Sequence, residues 1–169
     1  VSRKREHNRA AMLFRRASRS CNEPDVRLRA LYRAGKSFQS VGRWDDAIEH
    51  YTKVENEYPT HSYADDARLH AARCQLEKGD RERFREMLES LPDIYETGDM
   101  RSEALWALAH DSLQANNLEK AREVLARYYA LFPRESGWYT AGRSGYWLAR
   151  TEELLGDPMA ASSHYEQVV

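Results

Sequence analysis

The chain has 169 residues, 31% of them charged, a formal net charge of −1 and a mean hydropathy of −0.83. These values fit a soluble protein with either one sizeable core or a short solenoid. They exclude a bilayer-spanning segment, since no apolar run approaches the roughly 20 residues that a membrane helix needs. The opening VSRKREHNRA has no apolar segment after its basic one, so it does not read as a signal peptide. With Val rather than Met at position 1, the chain reads as a processed or excised piece.

Charge is unevenly spread. Residues 1–40 hold eleven Lys or Arg against three acids, a net of +8, and the remainder carries −9. Such a start can contact nucleic acid, anionic lipid or an acidic wall polymer. No aromatic residues interleave its first basic cluster to stack on bases, so a solvated helix face is the better reading. The two cysteines, Cys21 and Cys74, stand outside any CxxC, and a zinc site needs about four closely placed ligands. Cys74, among Ala71, Ala72 and Leu76, reads as a small buried hydrophobe; the alternative is a Cys21–Cys74 bridge.

In chain order, residues 7–20 place Ala10, Phe14 and Ala17 on one face of a predicted helix. Asn22-Glu23-Pro24-Asp25 breaks it, with Asp25 as the N-cap of the next. Helices are predicted near 25–41 and 44–57, joined by a Gly42-Arg43-Trp44 turn. Leu31, Ala34, Gly35 and Phe38 mark the inner face of the first. Ala47, Tyr51 and Val54 mark that of the second, which Pro59 closes. Gly35 and Ala47 are small enough for the two helices to approach closely, and Gly42 suits a left-handed helix end.

The grammar recurs downstream. In SYADDARLHAARCQLEKGDRERFREMLESLP, Ala67, Ala71 and Ala72 take the small places and Gly79-Asp80 the turn. Phe84, Leu88 and Leu91 line the return helix, which Pro92 is predicted to end. DIYETGDM reads as a loop or distorted turn. Next, Leu105, Leu108 and Ala109 face inward, and Asn116-Asn117 replaces the Gly turn, since Asn tolerates positive φ. Ala121, Leu125 and Tyr128 follow. After RESGWYTAG, Leu148 and Ala149 pack inward, Gly156-Asp157-Pro158 turns the chain, and Ala161, Tyr165 and Val168 line the last helix.

The set of small and large apolar residues over Leu31 to Pro59 is the tetratricopeptide pattern, and the whole chain resembles that superfamily. The expected fold is all-α: about nine helices in antiparallel pairs forming a right-handed TPR-like α-solenoid. The division is 1–21 (second helix of a truncated repeat), 25–61, 62–98, 99–135 and 138–169. No polar capping helix closes the stack, so both ends read as cut from a longer array, and their apolar faces would allow self-association.

No catalytic constellation emerges. The six histidines are scattered, and HExxH, GxSxG and phosphate-binding Gly loops are missing. Asp45-Asp46, Asp65-Asp66 and Glu152-Glu153 read as solvated helix starts or faces rather than catalytic pairs. The expectation is a non-enzymatic chain with no cofactor or metal. What remains is a binding surface on the first helix of each pair. Helical period and the superfamily resemblance place Arg29, Tyr32, Lys36 and Gln39 there, with Leu69, Arg73 and Leu76. Trp106, His110 and Leu113 join them, then Arg143, Tyr146 and Arg150. The mixture of Arg, Lys and aromatics suits an acidic peptide segment, the free C-terminus of a protein or a carboxylate-bearing glycan. Lys36 and Arg73 stand where the carboxylate clamp of chaperone-binding tetratricopeptide domains has asparagine.

Two stretches narrow the resemblance. EYPTHSYADDA looks like a linker variant of bacterial envelope proteins. Gly142, Arg143, Tyr146, Trp147, Arg150, Gly156, Ala161 and Tyr165 are similar to a segment of the superhelix of soluble lytic transglycosylases. That likeness implies a non-catalytic scaffold from a cell-envelope (periplasmic) protein, with cytoplasm as the alternative location. Its partners would be proteins, peptides or peptidoglycan rather than nucleic acid, and its parent would carry a peptidoglycan-cleaving domain after Val169. The alternative is a stand-alone adaptor that binds a peptide segment of an envelope-assembly partner.

Overall fold

The structure, a computed structural model, describes residues 2–133 and 142–168, with side chains described between residues 3 and 166 of those ranges. Among the described residues there are nine α-helices and no strand. They are α1 (Ser2–Ser20), α2 (Pro24–Ser40), α3 (Trp44–Glu57), α4 (Tyr63–Glu77), α5 (Arg81–Ile94), α6 (Arg101–Gln114), α7 (Leu118–Leu131), α8 (Arg143–Leu154) and α9 (Pro158–Val168). No described helix is long and apolar enough to cross a membrane. The helices form two compact units, Val1–Met100 and Arg101–Val169. Within each, every helix packs on the next in sequence, and α2 also touches α4. Short connections make such neighbours antiparallel.

Four turns set this pattern. Gly42, Gly79, Asn116 and Gly156 adopt φ of 79°, 89°, 54° and 85°, a region that strains most side chains and favours Gly, then Asn. After each, the next N–H bonds to a carbonyl five residues back: Arg43 to Phe38 at 3.0 Å, Asp80 to Gln75 at 2.9 Å, Asn117 to Ser112 at 2.9 Å and Asp157 to Glu152 at 3.0 Å. This is the Schellman closure, which satisfies carbonyls that the helix end leaves open. At three turns the same residue caps the next helix: the side chains of Asp80, Asn117 and Asp157 accept the N–H of Arg83, Lys120 and Ala160. One Gly-Asp or Asn-Asn pair thus ends one helix and starts another, and such a cap contributes about 1 kcal/mol.

The core lies where small and large residues meet. Leu31, Ala34, Gly35, Phe38, Ala47, Tyr51 and Val54 are buried, as are Phe84, Leu88, Leu91, Leu105, Ala121, Leu125 and Tyr128. Each large apolar side chain buried this way contributes roughly 1.5–3 kcal/mol. A Cβ on Gly35 would sit 2.7 Å from Tyr51 Cε1, so the ring occupies the space that the glycine leaves. The Tyr51 hydroxyl donates to Gln39 Oε1 at 2.7 Å, which turns Gln39 toward the core. Farther along, Arg68 donates to Glu55, to the Met87 carbonyl and to Ser90, while the Tyr95 hydroxyl also donates to Glu55. That half-buried network ties α3, α4 and α5.

Several expectations change. The buried face of α1 runs through Ala11 and Ser18, while Ala10 and Phe14 are half-buried and Ala17 is exposed; the apolar set was offset by one residue. Helix α2 starts at Pro24, with Glu23 in the N-cap position and Asp25 in the first turn. A proline at the first helical position lacks only an N–H that would have no partner there. Pro92 does not end α5, which continues to Ile94. Its buried ring removes one donor, yet the Tyr95 N–H still reaches the Leu91 carbonyl at 3.0 Å. Leu69 is core, 2% exposed, rather than part of an open face. Asp65 and Glu152, expected on solvated faces, are 3% and 7% exposed, because the Met100 N–H and His164 Nδ1 lie within hydrogen-bond reach of their carboxylates. Cys21 and Cys74 are free thiols. The 134–141 connection and the Val168 side chain lie outside the described residues.

Candidate binding site

The first helices present different surfaces in the two units. In the first, α2 carries Arg29, Tyr32, Arg33 and Lys36 at helical spacings of three and four, which puts them on one face. Helix α4 brings Tyr63 against them. Together these five residues line a hollow of about 250 Å³. Its floor is aromatic: the Tyr32 and Tyr63 rings stack at 4.7 Å with 24° between planes, and Tyr32 meets Tyr51 edge-on at 5.9 Å. The Tyr32 hydroxyl donates to Asp66 Oδ1 at 3.3 Å. Burial, then Asp66, push that hydroxyl above its ordinary range, so it remains a protonated donor.

The rim is cationic. Lys36 Nζ lies 5.7 Å from the Tyr32 ring centre, and the Arg33 guanidinium 5.9 Å from that of Phe14. Arg29, Arg33 and Lys36 have no carboxylate within ion-pair distance among the described residues. Other cations of this unit are paired, among them Arg15 and Arg43 with Asp46, Arg27 with Glu57, Arg68 with Glu55 and Lys78 with Asp45. Behind the floor, His70 stacks on Tyr51 at 5.4 Å, and its Nδ1 has no hydrogen-bond partner. Burial, with Arg73 and Lys36 adding to it, lowers its pKa to about 4, so the imidazole is neutral near pH 7. Arg73 is half-buried on α4.

The second unit is built differently. Arg143 donates to Glu103 Oε1 at 2.8 Å and to the buried Tyr128 hydroxyl at 2.6 Å, and its guanidinium lies 5.0 Å from the Trp106 ring centre. It ties α6, α7 and α8 together, with a side chain only 13% exposed. Arg150 pairs with Glu153 on its own helix. The open part of this surface is aromatic. Ring centres are 5.7 Å apart for His110–Trp106 and Trp106–Trp147, 5.6 Å for Trp147–Tyr146 and 6.0 Å for Tyr146–Tyr165. Tyr146 is 46% exposed and His110 is exposed.

The nine sequence-selected residues therefore divide. Arg29, Tyr32 and Lys36 come together in one hollow, with Arg73 on the adjoining helix. Trp106, His110 and Tyr146 form one aromatic row. Arg143 and Arg150 hold internal partners. The selection missed Arg33 and Tyr63 in the hollow and Tyr165 in the row. Arg33 stands one turn after Arg29, a signal that the spacing carried; Tyr63 is brought in by packing.

Two other features bear on chemistry. Carboxylate oxygens of Asp65, Asp66 and Asp99 lie within 4.8 Å of one another, the kind of set that a hard cation accepts. Two of them nevertheless accept hydrogen bonds within the protein: Met100 N–H donates to Asp65 and the Tyr32 hydroxyl to Asp66. Burial, then mutual repulsion, raise the pKa of Asp66 and Asp99. The Cys74 thiol is buried and pushed up to about 12, which removes nucleophilic thiolate at neutral pH.

Residues 40–102 match a family model described as tetratricopeptide repeat. No curated protein matches this sequence. Among solved structures, similarity extends to MamA (TM-score 0.66, 14% identity, 99% of this chain and 89% of that one). A kinesin light chain from Podosopora anserina with nearly identical TPR-like repeats gives TM-score 0.69 at 18% identity, covering 99% of this chain and 86% of that one. BtubC from P. vanneervenii gives 0.70 at 15% identity, covering 96% and 72%. At these identities the likeness concerns the fold. Residues 40–102 are thus similar to a tetratricopeptide repeat, and the fold is a TPR-like α-solenoid.

Proposed function

We propose that this protein is a non-catalytic scaffold that holds a segment of a partner protein on the first helices of its repeats. One observation carries this: in each unit, aromatic rings packed against one another remain partly open to solvent on that face, Tyr32 and Tyr63 stacked in the first, Trp106, Trp147 and Tyr146 tilted or edge-on in the second. Large rings held rigid by packing contribute contact area at small entropy cost, which makes them binding hot spots. The test is an array of immobilised 12-residue peptides of varied composition, probed with wild type and with Tyr63→Ala and Tyr146→Ala. Peptides should be retained by wild type and lost by at least one variant; retention unchanged in both sinks the assignment.

A second reading places the protein in the bacterial cell envelope, as part of a lytic-transglycosylase-like protein that contacts peptidoglycan. It is supported by the row of Tyr146, Trp147 and Tyr165 in the stretch that resembles that family, since ring faces stack on the apolar faces of sugars. Co-sedimentation with purified sacculi that Trp147→Ala reduces supports it. A protein that stays in the supernatant excludes it.

A further inference from the structure

We propose that the hollow formed by Arg29, Tyr32, Arg33, Lys36 and Tyr63 takes the carboxylates of Asp or Glu residues that recur at alternate positions of an extended acidic protein segment. The inference rests on the reading that a partner segment lies on this face, and adds the chemistry of that segment.

Three observations lead there. First, aromatic rings rather than carboxylates accompany two of the rim cations: Arg33 lies over Phe14 and Lys36 over Tyr32. A ring positions a cation without neutralising it. Second, none of the three rim cations has a carboxylate within ion-pair distance among the described residues, whereas Arg15, Arg27, Arg43, Arg68 and Lys78 of the same unit each have one. Three like charges within two turns of one helix repel, and an anion removes that cost. The nearby Asp66 accepts the Tyr32 hydroxyl instead. Third, the spacing is selective. Arg29 and Arg33 are separated by about 6 Å of helix rise. Same-side residues of an extended strand are about 6.8 Å apart. An acid-x-acid strand lying along α2 therefore sets successive carboxylates opposite successive guanidiniums. Residues on the strand's other edge face solvent and are free to vary. Arginine accepts a carboxylate through two parallel N–H donors, which favours this pairing over a diffuse charge attraction. A hollow of about 250 Å³ has room for carboxyl-bearing side chains but not for a folded domain.

The experiment is fluorescence anisotropy with labelled peptides on the 169-residue chain: (Glu-Ser)₄, its block isomer Glu₄-Ser₄, and (Lys-Ser)₄. Binding of (Glu-Ser)₄ should be tighter than of the block isomer and should weaken with salt, since exposed charges are screened. The double variant Arg29→Glu/Arg33→Glu should bind at least about tenfold more weakly. Lys36→Glu provides a second variant, and circular dichroism checks that both remain folded. Arg150→Ala, in the second unit, should bind as wild type does. Equal binding of both acidic isomers overturns the spacing. Charge reversal without effect overturns the site. Competition by oligo(dT) at lower concentration than the acidic peptide reassigns the hollow to nucleic acid and also overturns the proposal. If neutral peptides bind the array and acidic ones do not, the proposal fails while the scaffold reading stands. If no peptide binds, both fail.

Discussion

The two units use one helix-pair grammar and the same residue types at their surfaces, yet they dispose of charge in opposite ways. In the first, Arg29, Arg33 and Lys36 gather on α2 with no carboxylate in reach among the described residues. In the second, Arg143 is closed by Glu103 and Tyr128, and Arg150 by Glu153. The first arrangement leaves charge for a ligand, and the second uses it to hold helices together. An arginine beside an aromatic ring is therefore no guide to binding until its other partners are known. Arg33 over Phe14 remains a donor in need of an acceptor; Arg143 over Trp106 does not.

Predictions test that contrast. The helix contacts should be equivalent in both units, so Ala47→Trp and Ala121→Trp, each at a 0% exposed site, should cost about 3 kcal/mol alike in denaturant unfolding. A large effect in one and none in the other would end the idea of a shared grammar. Arg143→Ala comes next. It leaves the Tyr128 hydroxyl and Glu103 without their shared donor, and about 2 kcal/mol should be lost. If melting is unchanged, Arg143 is as available as Arg29 and the contrast disappears.

A smaller effect depends on pH. His70 falls from an ordinary 6.5 to about 4 on folding, through burial and then Arg73 and Lys36. Between those values the unfolded state binds a proton that the folded state refuses, so stability decreases as pH falls through that window. The lowered value of the buried His50 acts in the same direction. Asp66 and Asp99, raised on folding, act in the opposite direction toward the acid end. At pH 5.5 the loss attributable to His70 should be about 1 kcal/mol relative to neutral pH. His70→Phe should flatten the melting temperature between pH 7.5 and 5.5, and an unchanged slope would remove His70 as the cause. Smallest of all, Arg29→Ala and Arg150→Ala should each shift stability by less than about 0.5 kcal/mol in thermal melts, as exposed side chains do. A loss comparable to that of Arg143→Ala would show that they too hold the fold.

Much of the fold was legible in the order of residues, for reasons that particular positions supply. Gly42, Gly79 and Gly156, with Asn116, marked the turns because positive φ excludes most other residues. Ala47, Tyr51 and Val54 marked a buried face because helical period is a local property. Local reading failed where a second signal competed. Ala10, Phe14 and Ala17 made a plausible stripe, but α1 is apolar enough on adjacent positions that packing on α2 selected Ala11 and Ser18 instead. Pro92 reads as a helix end, yet a ring buried near the terminus forfeits one bond and keeps its packing.

What the sequence by itself determined was everything that depends on near neighbours: helix type, turn position, the alternation of small and large residues, and the presence of Arg29, Tyr32 and Lys36 on one helical face. What only the tertiary structure decided was the fate of each charge. Glu103 lies 40 residues from Arg143, and Tyr63 lies 31 from Tyr32. Ion pairs and ring stacks over such separations follow from how helices dock, because electrostatic and packing energies depend on distance in space and not on separation in sequence.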